Sequence, residues 1–335
     1  MNNSQNLITS KNFSQFNSHQ FYDIFKAILA DQLNEEQIIN FLVELNNHNL
    51  PANAFVGAVK ALKEEMITIN APKNCLDLCG TGGDQLNTLN ISSATCFVVA
   101  GAKICVAKHG NKAISSKSGS ADIFFELGIK ITDTKNIIEN NLLEKNLAFL
   151  FAVDFHPALK KLAPIRKKLQ QPTIFNYLGP LLSPANCSLQ LIGTSRYDTM
   201  SKIANVLAQD SKNHAYIVHG FDGMDEITLT NKSYLLEVVN GKISQEIIIN
   251  PQDFGFELVN IKELQGFDPK NNAQKLLALL NGEKSPYRDI VILNSAFAFL
   301  LSKKVVNITE GIKLAEKIID QKIALAVLHS LQNNI

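Results

Sequence analysis

From Asp77 the chain reads Asp77-Leu78-Cys79-Gly80-Thr81-Gly82-Gly83-Asp84, and then Asn87-Thr88-Leu89-Asn90-Ile91-Ser92-Ser93. Three glycines in four positions follow a β-rich run, and a helical pattern opens near Ile91, behind Asn90. Glycine admits positive φ and lets backbone N–H groups approach oxygen atoms closely; a helix N-terminus adds free donors and about half a positive charge. The chemistry this spells is anion binding. The spacing Gly-x-Gly-Gly fits neither a Gly-x-Gly-x-x-Gly fingerprint nor a loop closed by Gly-Lys-Ser/Thr. Taken alone, the loop also reads as a strand-to-helix turn that needs small residues.

A second polar loop follows the next β run: Lys108-His109-Gly110-Asn111-Lys112, then Ser115-Ser116-Lys117-Ser118-Gly119-Ser120-Ala121-Asp122. Lys108 and the hydroxyls suit phosphate, and Ser118-Gly119-Ser120 precedes another helical pattern. Two such loops at consecutive strand ends imply a ligand with more than one phosphate. Singly, Lys112 and Lys117 read as solvated surface lysines and His109 as structural. Third comes His219-Gly220-Phe221-Asp222-Gly223-Met224-Asp225-Glu226. Its adjacent carboxylates can share a hard cation such as Mg²⁺, which binds through one or two carboxylates plus substrate phosphates; an exposed acidic turn is the plainer alternative. Fourth, His156-Pro157-Ala158 opens a helix on which Arg166 can clamp a carboxylate through its planar fork, with a solvated Arg166-Lys167-Lys168 turn as the rival.

These loops need a scaffold. Apolar residues Phe21, Ile24, Phe25, Ile28 and Leu29 make one helical stripe, Asn34 with Gln37 predicts a capping box, and Phe55, Val56, Val59 and Leu62 predict a third helix. After Ala71-Pro72, β-rich runs at 75–78, 103–107, 148–153, 189–192 and 215–218 alternate with helical patterns, which predicts crossovers and a mainly parallel sheet. Runs at 227–229, 234–239 and 246–249 lack intervening helices and predict antiparallel pairing; helical periodicity returns at 271–281, 288–302 and 308–331. The fold class expected is α/β: a small N-terminal all-helical domain plus a larger α/β domain with a mainly parallel central sheet flanked by helices. Residues 1–18, polar apart from a few apolar residues such as Phe13 and Phe16, are expected as a flexible tail.

Composition narrows the classes of function. With 32 Lys+Arg against 31 Asp+Glu the formal net charge is +1, without the basic surplus of a nucleic-acid binder. At 46% hydrophobic and 19% charged the chain is outside the disordered regime. Five cysteines, mostly in apolar stretches, read as reduced thiols, and Cys75-x-x-x-Cys79 lacks the further ligands zinc needs. The N-terminal residues show no secretory or transit pattern, and the apolar tract 91–107 is interrupted by polar residues, so a soluble, cytoplasmic protein without membrane or nucleic-acid partners is expected.

Six ordered segments resemble the bacterial anthranilate phosphoribosyltransferase family: Gly80-Thr81-Gly82-Gly83-Asp84, Asn90-Ile91-Ser92, Lys108-His109-Gly110-Asn111, Ser118-Gly119-Ser120-Ala121-Asp122, Asn176-x-Leu178-Gly179-Pro180-Leu181 and Gly223-x-Asp225-Glu226. The resemblance spans about residues 20–331. It implies a helical domain over 19–70 with a contribution from about 170–188, an α/β domain over 73–168 and 189–335, and homodimers joined through the helical domain. Phosphoribosyl pyrophosphate would lie among Gly80, Gly83, Asp84, Thr88, Asn90, Ile91, Ser92, Ser93, Lys108, Ser116 and Ser120. Ser92, Asp225 and Glu226 would hold magnesium, two Mg²⁺ per subunit. Anthranilate would meet Gly80, Asn111 and Arg166, with His109 and His156 near its entry. No residue is assigned as acid or base. Ser93, Lys112 and Val153 stand where the family usually has Thr, Arg and Pro.

The resemblance implies attack of the anthranilate amine on ribose C1 as pyrophosphate leaves. Two rivals share the architecture. A pyrimidine nucleoside phosphorylase, handling a single phosphate, has less need of Asp225-Glu226. A non-enzymatic nucleic-acid-binding branch would be basic and lack Asn111 and Arg166.

Overall fold

A computed structural model describes Ile8 and residues 12–113, 117–132 and 134–332. Reciprocal capping boxes, Asn17 with Gln20 and Asn34 with Gln37, open α1 (Ser18–Leu29) and α2 (Glu35–Asn47); α3 (Ala52–Glu64) follows Pro51. Their apolar faces meet in one core with Ile174, Phe175, Tyr177 and Leu178. The expected tail is shorter than residue 18. Phe13 and Phe16 are buried, and Phe13, in a 3-10 turn over Phe13–Gln15, lies edge-on to Phe41 at 5.3 Å. Burial of two aromatic rings outweighs the polar residues around them.

The sheet places β1 (Leu76–Gly80), β2 (Val106–Gly110), β3 (Leu147–Phe151), β4 (Leu189–Gly193) and β5 (His214–Gly220) in the order β3-β2-β1-β4-β5, all parallel. β6 (Ser233–Val239) pairs antiparallel with β5, and β7 (Lys242–Ile243) and β8 (Ile247–Ile249) pair antiparallel with β6. The crossovers carry α4 (Ile91–Gly101), α5 (Ser120–Glu126), α6 (Lys135–Glu144), α7 (Ala152–Phe155), α8 (Pro157–Leu169) and α9 (Tyr197–Leu207). The chain ends in α10 (Pro269–Leu280), α11 (Pro286–Leu301), α12 (Ile308–Asp320) and α13 (Ile323–Gln332). Strand side chains alternate between faces. Tyr216 and Val218 join the core under α4 and α11, whereas Ala215 and Ile217 join the core of the N-terminal helices.

Several boundaries differ from the pattern of the sequence. Ile227 to Leu229 is loop, not strand, because side chains replace the ladder: Asn294 bonds both the N–H (3.1 Å) and the carbonyl (2.9 Å) of Ile227, and Ser233 accepts from the Thr228 N–H. The continuous periodicity of 308–331 is two helices, divided where Lys322 takes φ 59°. Lys103, at φ 64°, belongs to the turn behind α4, so β2 begins only at Val106. No helix among the described residues is long and apolar enough to cross a membrane.

Candidate active site

β1 sends its crossovers to β2 on one side while β4 lies on the other, so the loops leaving β1 and β4 diverge. A doubly wound sheet opens its ligand crevice at such a switch point, beyond the carboxyl ends of the strands. A cavity of about 430 Å³ lies there, lined by residues that follow β1, β2, β3, β4 and β5.

The glycines of the first loop have separate reasons. Gly82 (φ 66°) and Gly83 (φ 79°) occupy the left-handed region. Gly80 is instead a close approach: a Cβ there would run into the Asp225 carboxylate. The loop is latched to the end of β4, since Ser195 N–H donates to Thr81 Oγ1 (3.1 Å) and Ser195 Oγ donates to the Gly82 carbonyl (2.9 Å). Gly82 N–H in turn donates to Asp225 Oδ2 at 2.7 Å.

Acidic groups converge behind it. Glu226 Oε1 accepts from the Ser92 N–H at the start of α4 (3.1 Å), and Asp84 stands next to Asp225. Burial, then the neighbouring Asp225, push Asp84 up to about 7 and Glu226 up to about 8; burial also raises Asp225. Lys108 is the buried cation nearby. Burial alone would lower it, but Cys96, Cys79, Asp77 and Glu226 keep it above its ordinary value. Its ammonium is committed to the Leu78 carbonyl and to Ser92 Oγ (3.1 Å), so it holds the loop from beneath. Asp84, Asp225 and Glu226 are all raised despite the Lys108 charge, and a further cation among them would favour their ionised forms. Asp77, Cys79 and His109 also bring ligand atoms within 4.8 Å of one another, but burial pushes the Cys79 thiol up to about 12, so it stays protonated and is a poor ligand.

The far wall has different chemistry. His109 Nε2 and His156 Nε2 are 3.3 Å apart, and burial pulls His109 down to about 3 and His156 down to about 4, so both imidazoles are neutral at pH 7. Arg166 is half-buried on α8 with its guanidinium 5.9 Å from the Phe175 ring centre. Asn111 sits in the second loop, whose turn is closed by Asp122 Oδ2 accepting from Ala113 N–H (3.0 Å) and Gly119 N–H (2.9 Å). The cavity thus gathers backbone donors and carboxyl groups together with an arginine fork, an amide and two neutral imidazoles.

Residues 72–325 match the glycosyl transferase family, a/b domain. Anthranilate phosphoribosyltransferases from Bacillus cereus (strain B4264) and Bacillus mycoides (strain KBAB4) are 41% and 40% identical to this chain over 313 residues, covering 92–93% of it and 92% of each relative. The chain belongs to the anthranilate phosphoribosyltransferase family. Among solved structures of that family, the Thermus thermophilus enzyme superposes with a TM-score of 0.90 at 28% identity over 98% of both chains. The Saccharomyces cerevisiae enzyme in complex with PRPP and Mg gives 0.90 at 26% over 99% of both, and its complex with 4-fluoroanthranilate gives 0.87 at 25% over 98% of both.

Gly80, Gly83, Asp84, Thr88, Asn90, Ile91, Ser92, Ser93, Lys108, His109, Asn111, Ser120, His156, Arg166, Asp225 and Glu226 all border the cavity. Ser116 lies outside the described residues. Ile91 and Ser93 are buried. Val153 is 44% exposed and does not border the cavity; its neighbour Ala152 does. Sequence reasoning gave no role to Ser195 or to the wall formed by Leu159, Pro172, Phe175 and Tyr177. Ser195 carries no local signature, because its partners Thr81 and Gly82 are more than a hundred residues away in the chain.

Proposed function

We propose that this chain transfers the phosphoribosyl group of 5-phosphoribosyl 1-pyrophosphate to the amine of anthranilate, giving N-(5-phosphoribosyl)anthranilate and pyrophosphate, the second step of tryptophan biosynthesis from chorismate. The observation that carries the reading is a single cavity lined both by Gly80, Gly82, Asp84, Asp225 and Glu226 and by Asn111, His156 and Arg166. The glycine loop and the α4 N-terminus offer backbone donors to the polyphosphate. Arg166 supplies a charge-assisted fork for the anthranilate carboxylate. An aryl amine is neutral at pH 7, so attack on C1 needs orientation more than a strong base, and the C1–O bond to pyrophosphate breaks as the C1–N bond forms.

The donor set fits Mg²⁺: hard carboxylate oxygens from Asp225 and Glu226 and the Ser92 hydroxyl, with burial raising both carboxyl groups, Glu226 to about 8, so that a cation would favour their ionised forms. Bound there, Mg²⁺ supplies counter-charge to the leaving pyrophosphate. Two ions per subunit, a homodimer joined through the helical domain, domain limits near residues 70 and 170–188, and a cytoplasmic setting complete the reading. Loss of anthranilate fluorescence on adding PRPP and Mg²⁺ tests it; unchanged fluorescence under conditions that support a known family enzyme refutes it.

A further inference from the structure

Asn272 lies in the first turn of α10, is 2% exposed and does not border the cavity. Nonetheless it joins both ligand loops. The Phe267 N–H donates to Asn272 Oδ1 (2.7 Å), Asn272 Nδ2 donates to Asn90 Oδ1 (3.2 Å), and Asn90 Nδ2 donates to the Ser118 carbonyl (3.2 Å). The chain of bonds has one polarity only. A backbone N–H can only donate, so it fixes the oxygen of Asn272; the amide nitrogen of Asn272 must then face the oxygen of Asn90, and the nitrogen of Asn90 must face Ser118. Asn90 lines the cavity, and the Ser118 carbonyl takes one of the two hydrogens of its Nδ2.

The same C-terminal segment grips the backbone of the glycine loop. Leu89 N–H donates to the Leu264 carbonyl (2.8 Å), Gly266 N–H donates to the Asn87 carbonyl (2.7 Å), and Tyr287 Oη donates to the Asn90 carbonyl (3.0 Å). A Cβ on Gly266 would lie 2.7 Å from the Thr88 carbonyl and 3.0 Å from Asn272 Nδ2, so the approach admits only glycine. These contacts hold the loop's position. The Asn272 amide nitrogen and the Ser118 carbonyl, from opposite sides, set which way the Asn90 amide is turned, and among these contacts only Asn272 reaches its oxygen.

We infer that Asn272 is a positioning residue for phosphoribosyl transfer: by fixing the Asn90 amide it presents a hydrogen-bond donor, not an acceptor, to the anionic phosphoribosyl donor. The inference rests on the function proposed above. Asn272→Asp is isosteric and still accepts from the Phe267 N–H; assayed above the pH at which the buried carboxyl ionises, it cannot donate to Asn90 Oδ1, and the facing oxygens repel, so the Asn90 amide is no longer held with its donor toward the phosphates. The expected result is a KM for PRPP raised about tenfold, the scale of a lost hydrogen bond to a charged group, with the KM for anthranilate within about twofold of wild type and the circular dichroism spectrum unchanged. Tyr287→Phe removes a backbone contact without touching the amide relay, and should raise the PRPP KM less than Asn272→Asp does.

Should Asn272→Asp fail to fold, Asn272→Ala reports instead, with the same selective rise in the PRPP KM. A purely structural role lowers the melting temperature and leaves both KM values alone, and that result, or an equal rise in both, overturns the inference. Wild-type protein with no anthranilate-dependent turnover defeats the functional reading itself, before any variant is compared.

Discussion

Gly80 and Asp225, 145 residues apart, are in such close approach that any side chain at Gly80 would occupy the position of the Asp225 carboxylate. The first glycine of the loop therefore makes room for the Asp225 carboxylate. Gly80→Ala should displace Asp225 and lower turnover on the order of 10²-fold, with the Mg²⁺ concentration needed for half-maximal rate rising. Unaltered Mg²⁺ dependence in that variant would remove the link between loop and carboxylates.

Replacing the carboxylates should separate function from stability. Asp225→Asn with Glu226→Gln is expected to abolish turnover at any substrate concentration, because the pyrophosphate loses its counter-charge. Without Mg²⁺ the same double variant should melt higher than wild type at pH 8, since it removes carboxyl groups that burial makes costly to ionise. Wild-type turnover, or a lower melting temperature at pH 8, contradicts the electrostatic account.

A pH dependence follows with a definite sign. Asp84 (about 7) and Glu226 (about 8) hold protons more tightly in the folded chain than ordinary carboxyl groups do. Their contribution is fully present below the ordinary carboxylate range and is lost as pH rises through about 7 and 8. Mg²⁺-free protein should thus melt lower at pH 8 than at pH 6, and saturating Mg²⁺ should raise the melting temperature more at pH 8. Differential scanning fluorimetry at both pH values decides it; a Mg²⁺ shift that is larger at pH 6 reverses the assignment.

Arg166→Ala should raise the KM for anthranilate at a cost of about 1.5–3 kcal/mol, with the PRPP KM nearly unchanged. A rise in the PRPP KM instead would assign Arg166 to the phosphate site.

Local grammar carried much of the fold. The capping box of Asn34 with Gln37, the alternation of β runs with helices and the antiparallel end of the sheet are near-neighbour signals, and the structure has all of them. What failed to show depends on distant partners. Ile227 to Leu229 looks like a strand because it is apolar, yet Asn294 satisfies its backbone from another helix. Phe13 looks like part of a tail because its neighbours are polar, yet Phe41 and Phe21 enclose it. The site divides the same way. Glycine spacing and the Asp225-Glu226 pair are visible in one dimension, whereas the Ser195 latch, the facing imidazoles of His109 and His156, and the Asn272 relay exist only once β4, α8 and α10 are folded against the loops.

The most direct measurement is stoichiometric. Purified protein with PRPP, Mg²⁺ and anthranilate should release one pyrophosphate for each N-(5-phosphoribosyl)anthranilate formed, with pyrophosphate release absent when anthranilate is omitted. Protein that leaves anthranilate untouched and instead cleaves thymidine or uridine with inorganic phosphate would contradict the account.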